Sequence, residues 1–168
     1  MYTFGDSYGQ CTIGSIMHKV FLGTAFSSGK INEVTGEVLP EFRMLIERLL
    51  ATLRELDDVE VFCAVEDENW ILSKDPPEIG VAKDIGELDN ADIFLAFVEK
   101  YPSAGVQFEI GYALAKGKRV LLVARSEEEL TYFNKGIIGA GLVTLITYEK
   151  NPAVVKDQLA VAISAPAD

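Results

Sequence analysis

At 168 residues the chain has the length of one domain and can bury about 70% of its unfolded surface. Twenty-six acidic against fifteen basic side chains give a net charge of −11. That charge argues against binding long nucleic acid through its phosphates, but a helix N-terminus can still hold a single phosphate. The two cysteines, Cys11 and Cys63, show no ligand spacing, and His18 is the one histidine, so neither a structural zinc site nor a Ser-His-Asp triad is expected. No apolar run reaches the eighteen or so residues of a membrane span, and no signal peptide opens the chain. The expectation is a cytoplasmic protein without metal or organic cofactor.

Residues 1–16 lack helical periodicity and precede a second methionine, Met17. They read as an arm or an extension before a single domain over 17–168. Lys19–Gly23 is a short buried strand, followed by a Gly/Ser-rich loop to about Val38. From Leu39 to Leu56, Phe42, Leu45, Ile46, Leu49, Leu53 and Leu56 recur at the spacing of an amphipathic helix, with Pro40 suited to its first turn. Val59–Ala64 is the second strand, and an acidic loop, Val65 to Trp70, comes next. The breaker Asp75-Pro-Pro77 introduces a helix from about Glu78 to Leu88.

Asp92 to Phe97 is a third strand, apolar without interruption from Ile93, as expected where a sheet is covered on both faces. A Pro/Ser/Gly loop leads from it into a helix over Gly105–Lys116, with Gly117 as the stop. Arg119–Ala124 is the fourth strand, and Ser126-Glu-Glu-Glu reads as an N-cap with an acidic first turn. The fifth strand covers Leu142–Ile146, and a last helix spans about Pro152 to Ile163. Such β/α alternation implies a doubly wound α/β fold: a five-stranded parallel sheet of flavodoxin-like order 2-1-3-4-5 in a three-layer α/β/α stack.

In that order the loops after strands one and three converge on one crevice at the topological switch point. The first loop, Gly23-Thr-Ala-Phe-Ser-Ser-Gly29, matches neither a dinucleotide fingerprint nor a P-loop, although its small residues let backbone amides approach a ligand. The plainer reading is a glycine-rich turn. Glu109 lies one turn after Gly105, bordered by Val106 and Ala113, where the helix N-terminus would favour the ionised form that a nucleophile needs. Asp84 lies at the edge of the second helix's apolar face, between Val81 and Leu88. Two carboxylates ~5 Å apart suit retaining glycosidic-bond cleavage. Each also has the ordinary reading of a solvated helix carboxylate, Asp84 beside Lys83.

Ser103 is an N-cap or a phosphate ligand, and spacing alone does not separate the two. Asp92 is either a substrate contact or a turn residue satisfying backbone amides. Phe26, Trp70 and Tyr112 have the rings to stack on a base, and equally to cap the core.

Val20-Phe-Leu-Gly-Thr-Ala-Phe26, the segment from Asp84 to Asp92, and Pro102-Ser-Ala-Gly-Val-Gln-Phe-Glu-Ile-Gly-Tyr-Ala113 together resemble the nucleoside 2-deoxyribosyltransferase family. The family includes base-exchanging transferases and nucleoside 5'-monophosphate N-glycosidases. The resemblance implies Glu109 as the nucleophile toward the anomeric carbon and Asp84 as the proton donor near the base. It places Gly23, Thr24 and Phe26 along the base pocket, with Thr24-Ala25 standing where a small-Pro pair is more usual. Six residues before the nucleophile, the transferases tend to carry aspartate and the monophosphate hydrolases serine; Ser103 resembles the latter. Serine donates to phosphate, whereas aspartate repels it. The segments Ile31–Gly36 and Glu68–Trp70 are similar to those of CMP and hydroxymethyl-CMP N-glycosidases.

The expected reaction is hydrolysis of a nucleoside 5'-monophosphate, with CMP as an example, to base and (deoxy)ribose 5-phosphate. Glu109 and Asp84 would be catalytic, and Gly23, Thr24, Phe26, Trp70, Asp92, Ser103 and Gly105 would contact substrate. The alternatives are base exchange between deoxynucleosides and a non-catalytic nucleotide-binding module. The resemblance further implies a homodimer or higher homo-oligomer.

Overall fold

The computed structural model describes residues 16–25, 29–99 and 103–166. The expected arm therefore lies outside the described residues but for Ile16, and Phe26 lies outside them as well. Five strands, β1 (His18–Thr24), β2 (Val59–Cys63), β3 (Ile93–Val98), β4 (Arg119–Ala124) and β5 (Thr144–Thr147), form one sheet in the order β2-β1-β3-β4-β5. Every neighbouring pair is parallel. This is the flavodoxin-like order expected. All six residues of β3 are buried, because helices cover both of its faces.

Helices α1 (Pro40–Arg54) and α6 (Lys156–Ser164) pack on one face, where Val20, Leu22, Leu95, Phe97, Ile46 and Leu49 share a core. On the other face, α3 (Pro77–Asn90), α4 (Ala104–Ala115) and α5 (Tyr132–Gly139) enclose Phe21, Phe94, Ala96, Val106, Ile110 and Leu122. Alternation along β1 and β3 deals each strand's apolar residues to both cores. The helix boundaries have local causes. Pro40 and Pro77 open α1 and α3, where a missing amide costs nothing. The Ser103 side chain accepts from the Val106 amide at 3.2 Å to cap α4, and Gly117, at φ +69°, ends that helix.

Two elements differ from expectation. The acidic stretch after β2 folds into a single turn of helix, α2 (Ala64–Asp67), rather than a loop. Ser126 starts no helix; the residues after it form turns, and Thr131, accepting from the Asn134 amide at 3.2 Å, caps α5 instead. The later start follows the apolar residues, since Leu130 and Ile137 reach the core and the three glutamates do not. Likewise the last helix begins with a 3-10 turn, Pro152–Val155, before α6.

Candidate active site

Between the carboxyl ends of β1 and β3 lies a cleft of about 420 Å³, walled by α2, α3 and α4. Its floor is a consequence of strand alternation. Phe21 and Gly23 point to the same face of β1, and the missing side chain at Gly23 leaves a hole. The Phe94 ring and the Glu109 carboxylate fill it: a Cβ built on Gly23 would stand 2.5 Å from Phe94 Cζ and 2.8 Å from Glu109 Oε2. This glycine is required for close approach rather than for an unusual backbone angle.

Glu109 reaches the floor from the second turn of α4, and its Oε2 is buried without a hydrogen-bond partner among the described residues. Burial first, and the Asp84 charge second, push its carboxyl up to about 7. The sequence suggested the opposite sign through the helix N-terminus. Burial prevails because the favourable field fades within the first turn and Glu109 sits beyond it. Asp84 lines the same cleft from α3, half-buried, and burial pushes its carboxyl up too, against the pull of Lys83. Lys83 itself pairs with Asp67 on α2 and leaves Asp84 facing the cleft.

Of the other expected contacts, Gly23, Thr24, Ser103 and Gly105 all line this cleft. Thr24 Oγ1 is a second buried oxygen with no partner among the described residues. Ser103 sits at the mouth as the N-cap of α4, beside the first amides of that helix, which have no acceptor within it.

Two expected contacts are corrected. Asp92 stands at the amino end of β3, the wrong end for the cleft, where its Oδ2 accepts from the Lys19 amide at 2.9 Å. The backbone-satisfying reading is the one that fits. Trp70 is 9% exposed and packs in the α1-side core with Arg43 over its ring, outside the cleft lining. Tyr112, also weighed as a stacking residue, lies against Phe108 and donates to Asp89 at 3.0 Å.

The cleft also gathers residues that spacing did not single out. Glu68 and Asp75 bring its carboxylates to four, and among the described residues no Lys, Arg or His lines it. Only an acidic loop was visible in the sequence, without a sign of the direction its side chains take. A larger groove of about 930 Å³ runs beside β5 and α6, lined by Leu142, Leu145 and Val161 among others. It lies at the amino ends of β4 and β5, and Asp157 is the one carboxylate among its described lining residues, so size does not select it as the reactive site.

A doubly wound sheet with a buried carboxylate, a second acid and a helix N-terminus around one switch-point cleft defines an α/β protein equipped for chemistry on a small ligand. The chain belongs to the nucleoside 2-deoxyribosyltransferase family, whose model matches residues 40–154. It is 36% identical over 96 residues to a putative 2'-deoxynucleoside 5'-phosphate N-hydrolase 1 of Thermofilum pendens, covering 55% of this chain and 66% of that protein. The match thus spans just under two thirds of that relative's length. Among solved structures, the solution structure of BlsM aligns over 88% of this chain and 90% of that one, at 27% identity and a TM-score of 0.68. The Clostridium botulinum CMP N-glycosidase BcmB shares the fold, at 24% identity and a TM-score of 0.60 over 85% of this chain and 98% of that one.

Proposed function

We propose that the protein hydrolyses the N-glycosidic bond of a nucleoside 5'-monophosphate. The supporting observation is the Glu109 carboxylate, whose buried Oε2 has no partner among the described residues, sharing a cleft with Asp84 and with the Ser103 end of α4. The Glu109 carboxylate attacks C1′ as the C1′–N bond breaks, and the bond's electron pair leaves with the base. Asp84, whose burial helps it retain a proton, delivers that proton to the base. Water then attacks C1′, freeing Glu109 and returning a proton to Asp84. The Ser103 hydroxyl and the opening amides of α4 hold the phosphate.

A second reading, base exchange between 2'-deoxynucleosides, is favoured by one observation: the cleft's four carboxylates are matched by no cation among its described lining residues, which suits a neutral substrate. One experiment separates the two. Ribo- and deoxyribonucleoside monophosphates are assayed for free base, and deoxynucleosides are incubated with a second base. Hydrolysis predicts free base from a monophosphate and no exchanged nucleoside; exchange product with no attack on any monophosphate overturns it. Binding without base release, undiminished in Glu109→Ala, would instead support a non-catalytic module.

Self-association is proposed as well. Val81, which lines the cleft, Ile79 on the same helix and Phe108 on α4 are each more than half exposed. Light scattering that shows only monomer at assay concentrations would end this.

A further inference from the structure

The reaction proposed above uses two of the cleft's four carboxylates and leaves Glu68 and Asp75 without a task. Asp75 is exposed on its loop, whereas Glu68 is partly enclosed. The acids of the α2 turn differ in how they are neutralised. Glu66 receives Arg54 at 2.9 Å, and Asp67 receives Lys83. Glu68 faces the cleft and has neither an ion pair nor a side-chain hydrogen bond among the described residues. Burial and the neighbouring Asp84 charge disfavour its ionised form, and Lys83 offsets them only in part. An acid kept unpaired and partly desolvated in a binding cleft suits a ligand that brings its own donor.

The backbone around Glu68 turns the same way. Asn69 and Trp70 follow it at φ +56° and +63°, a left-handed pair that is costly for an indole-bearing residue. The turn carries Trp70 into the core while Glu68 lines the cleft.

The roles proposed for the cleft residues point to the donor. In that reaction Ser103 and the start of α4 hold the phosphate, and Glu109 with Asp84 faces C1′. Glu68, on the α2 wall, neighbours Asp84, the acid placed at the leaving base. This inference rests on the proposed glycosidic-bond cleavage and deepens it. We propose that Glu68 reads the base: its carboxylate accepts a hydrogen bond from an exocyclic amino group, so that the site takes a cytosine-type edge and rejects the keto edge of uracil. A keto oxygen at that position would face the carboxylate oxygen with no proton between them, which costs affinity twice over.

The test compares kcat/KM for CMP and UMP, and for their deoxy forms, in the wild type, Glu68→Ala and Glu68→Gln, with folding checked by circular dichroism. One hydrogen bond to a charged acceptor predicts a preference for the cytosine nucleotide of about 10- to 100-fold in the wild type. Glu68→Ala should lose that preference from both sides, slowing the cytosine substrate and speeding the uracil substrate once the opposed carboxylate is gone. In Glu68→Gln the amide can both accept and donate, so the uracil nucleotide should improve. That improvement is one a merely structural residue would not produce. Base release with no preference in the wild type, or an equal loss on both substrates in the variants, overturns the assignment of Glu68 and leaves the hydrolase reading intact. If only deoxynucleosides react, the same ratios are measured with deoxycytidine and deoxyuridine. Failure of every nucleotide and nucleoside to react overturns both readings.

Discussion

The two ends of the sheet treat their polar groups in opposite ways. At the amino end two strong donors find acceptors: Lys118 Nζ donates to the Asp89 and Ala91 carbonyls at 2.8 and 2.6 Å, and Arg119 donates to the Ala162 and Ile163 carbonyls at 3.1 and 2.8 Å. Asp92 there accepts from the Lys19 amide. At the carboxyl end, Thr24 Oγ1 and Glu109 Oε2 are buried with no hydrogen-bond partner among the described residues. An unmade buried hydrogen bond costs about 1–3 kcal/mol, so a fold tolerates such atoms where a ligand will complete them. Within a single βα connection the contrast repeats. Glu99, just past β3, is held by Lys30 and lies 3.7 Å from Arg125, while Glu109 on the following helix pairs with no cation among the described residues. One glutamate ties loops together, and the other is left free to react.

The contrast breaks most completely at Glu109. Glu109→Gln should lower turnover by about 10⁴-fold or more, the scale on which losing an essential nucleophile costs, measured as base release under single-turnover conditions. The same variant should be more stable than the wild type at pH 8. A carboxyl raised from its ordinary 4.5 to about 7 keeps its proton longer in the folded state, so its contribution to stability falls as pH climbs through that window. Removing the charge should recover ~1–3 kcal/mol above pH 7 and almost nothing at pH 4, which denaturant midpoints at the two pH values would check. Equal stability at pH 8 would mean that Glu109 is not desolvated as described.

Gly23→Ala comes next. The added methyl must displace the Phe94 ring or the Glu109 carboxylate, and a shift of about 1 Å in a reacting group costs on the order of 10²-fold in rate. Overpacking should add about 1–3 kcal/mol of destabilisation in a thermal melt. Unchanged turnover would show that the carboxylate does not act from above Gly23.

A smaller effect is expected in the pH profile. The Glu109–Asp84 pair acts while it holds one proton, on Asp84 for the leaving base, so kcat/KM should fall as that last proton is lost, with a midpoint near 7. In Asp84→Asn the residual activity has no such proton to lose and should instead rise with pH through a limb below 7, where Glu109, freed of the Asp84 charge, ionises. A limb that stays put would remove Asp84 from the neighbourhood of the nucleophile.

The opposite end supplies the control. Asp92→Ala removes an acceptor for the Lys19 amide and should cost about 1 kcal/mol of stability with turnover unchanged. Loss of activity in the folded variant would restore Asp92 to the list of substrate contacts.

The fold was legible in the sequence wherever one short segment faced one environment. The uninterrupted apolar run of β3 can be satisfied only by cover on both faces, and the heptad-like spacing in α1 only by a single apolar stripe. Glycine and proline marked the boundaries of α1 and α4, where backbone geometry restricts the choice of residue. Ser126 misled because an acidic, well-capped stretch still needs an apolar face to hold it as a helix, and that face begins only at Leu130. For the site, Glu109, Asp84, Gly23, Thr24, Ser103 and Gly105 were named from the sequence, and the structure brings them around one cleft.

The amino-acid order by itself determined the alternating elements, the parallel sheet and the candidate acids at the switch point, since each follows from local periodicity and short-range backbone preference. Only the tertiary structure decided which acids are free. That Glu68 lacks the cation its neighbours have, that Trp70 turns into the core, and that burial outweighs the helix dipole at Glu109 all depend on groups distant in sequence. Desolvation and charge act through space, and no spacing along a chain records them.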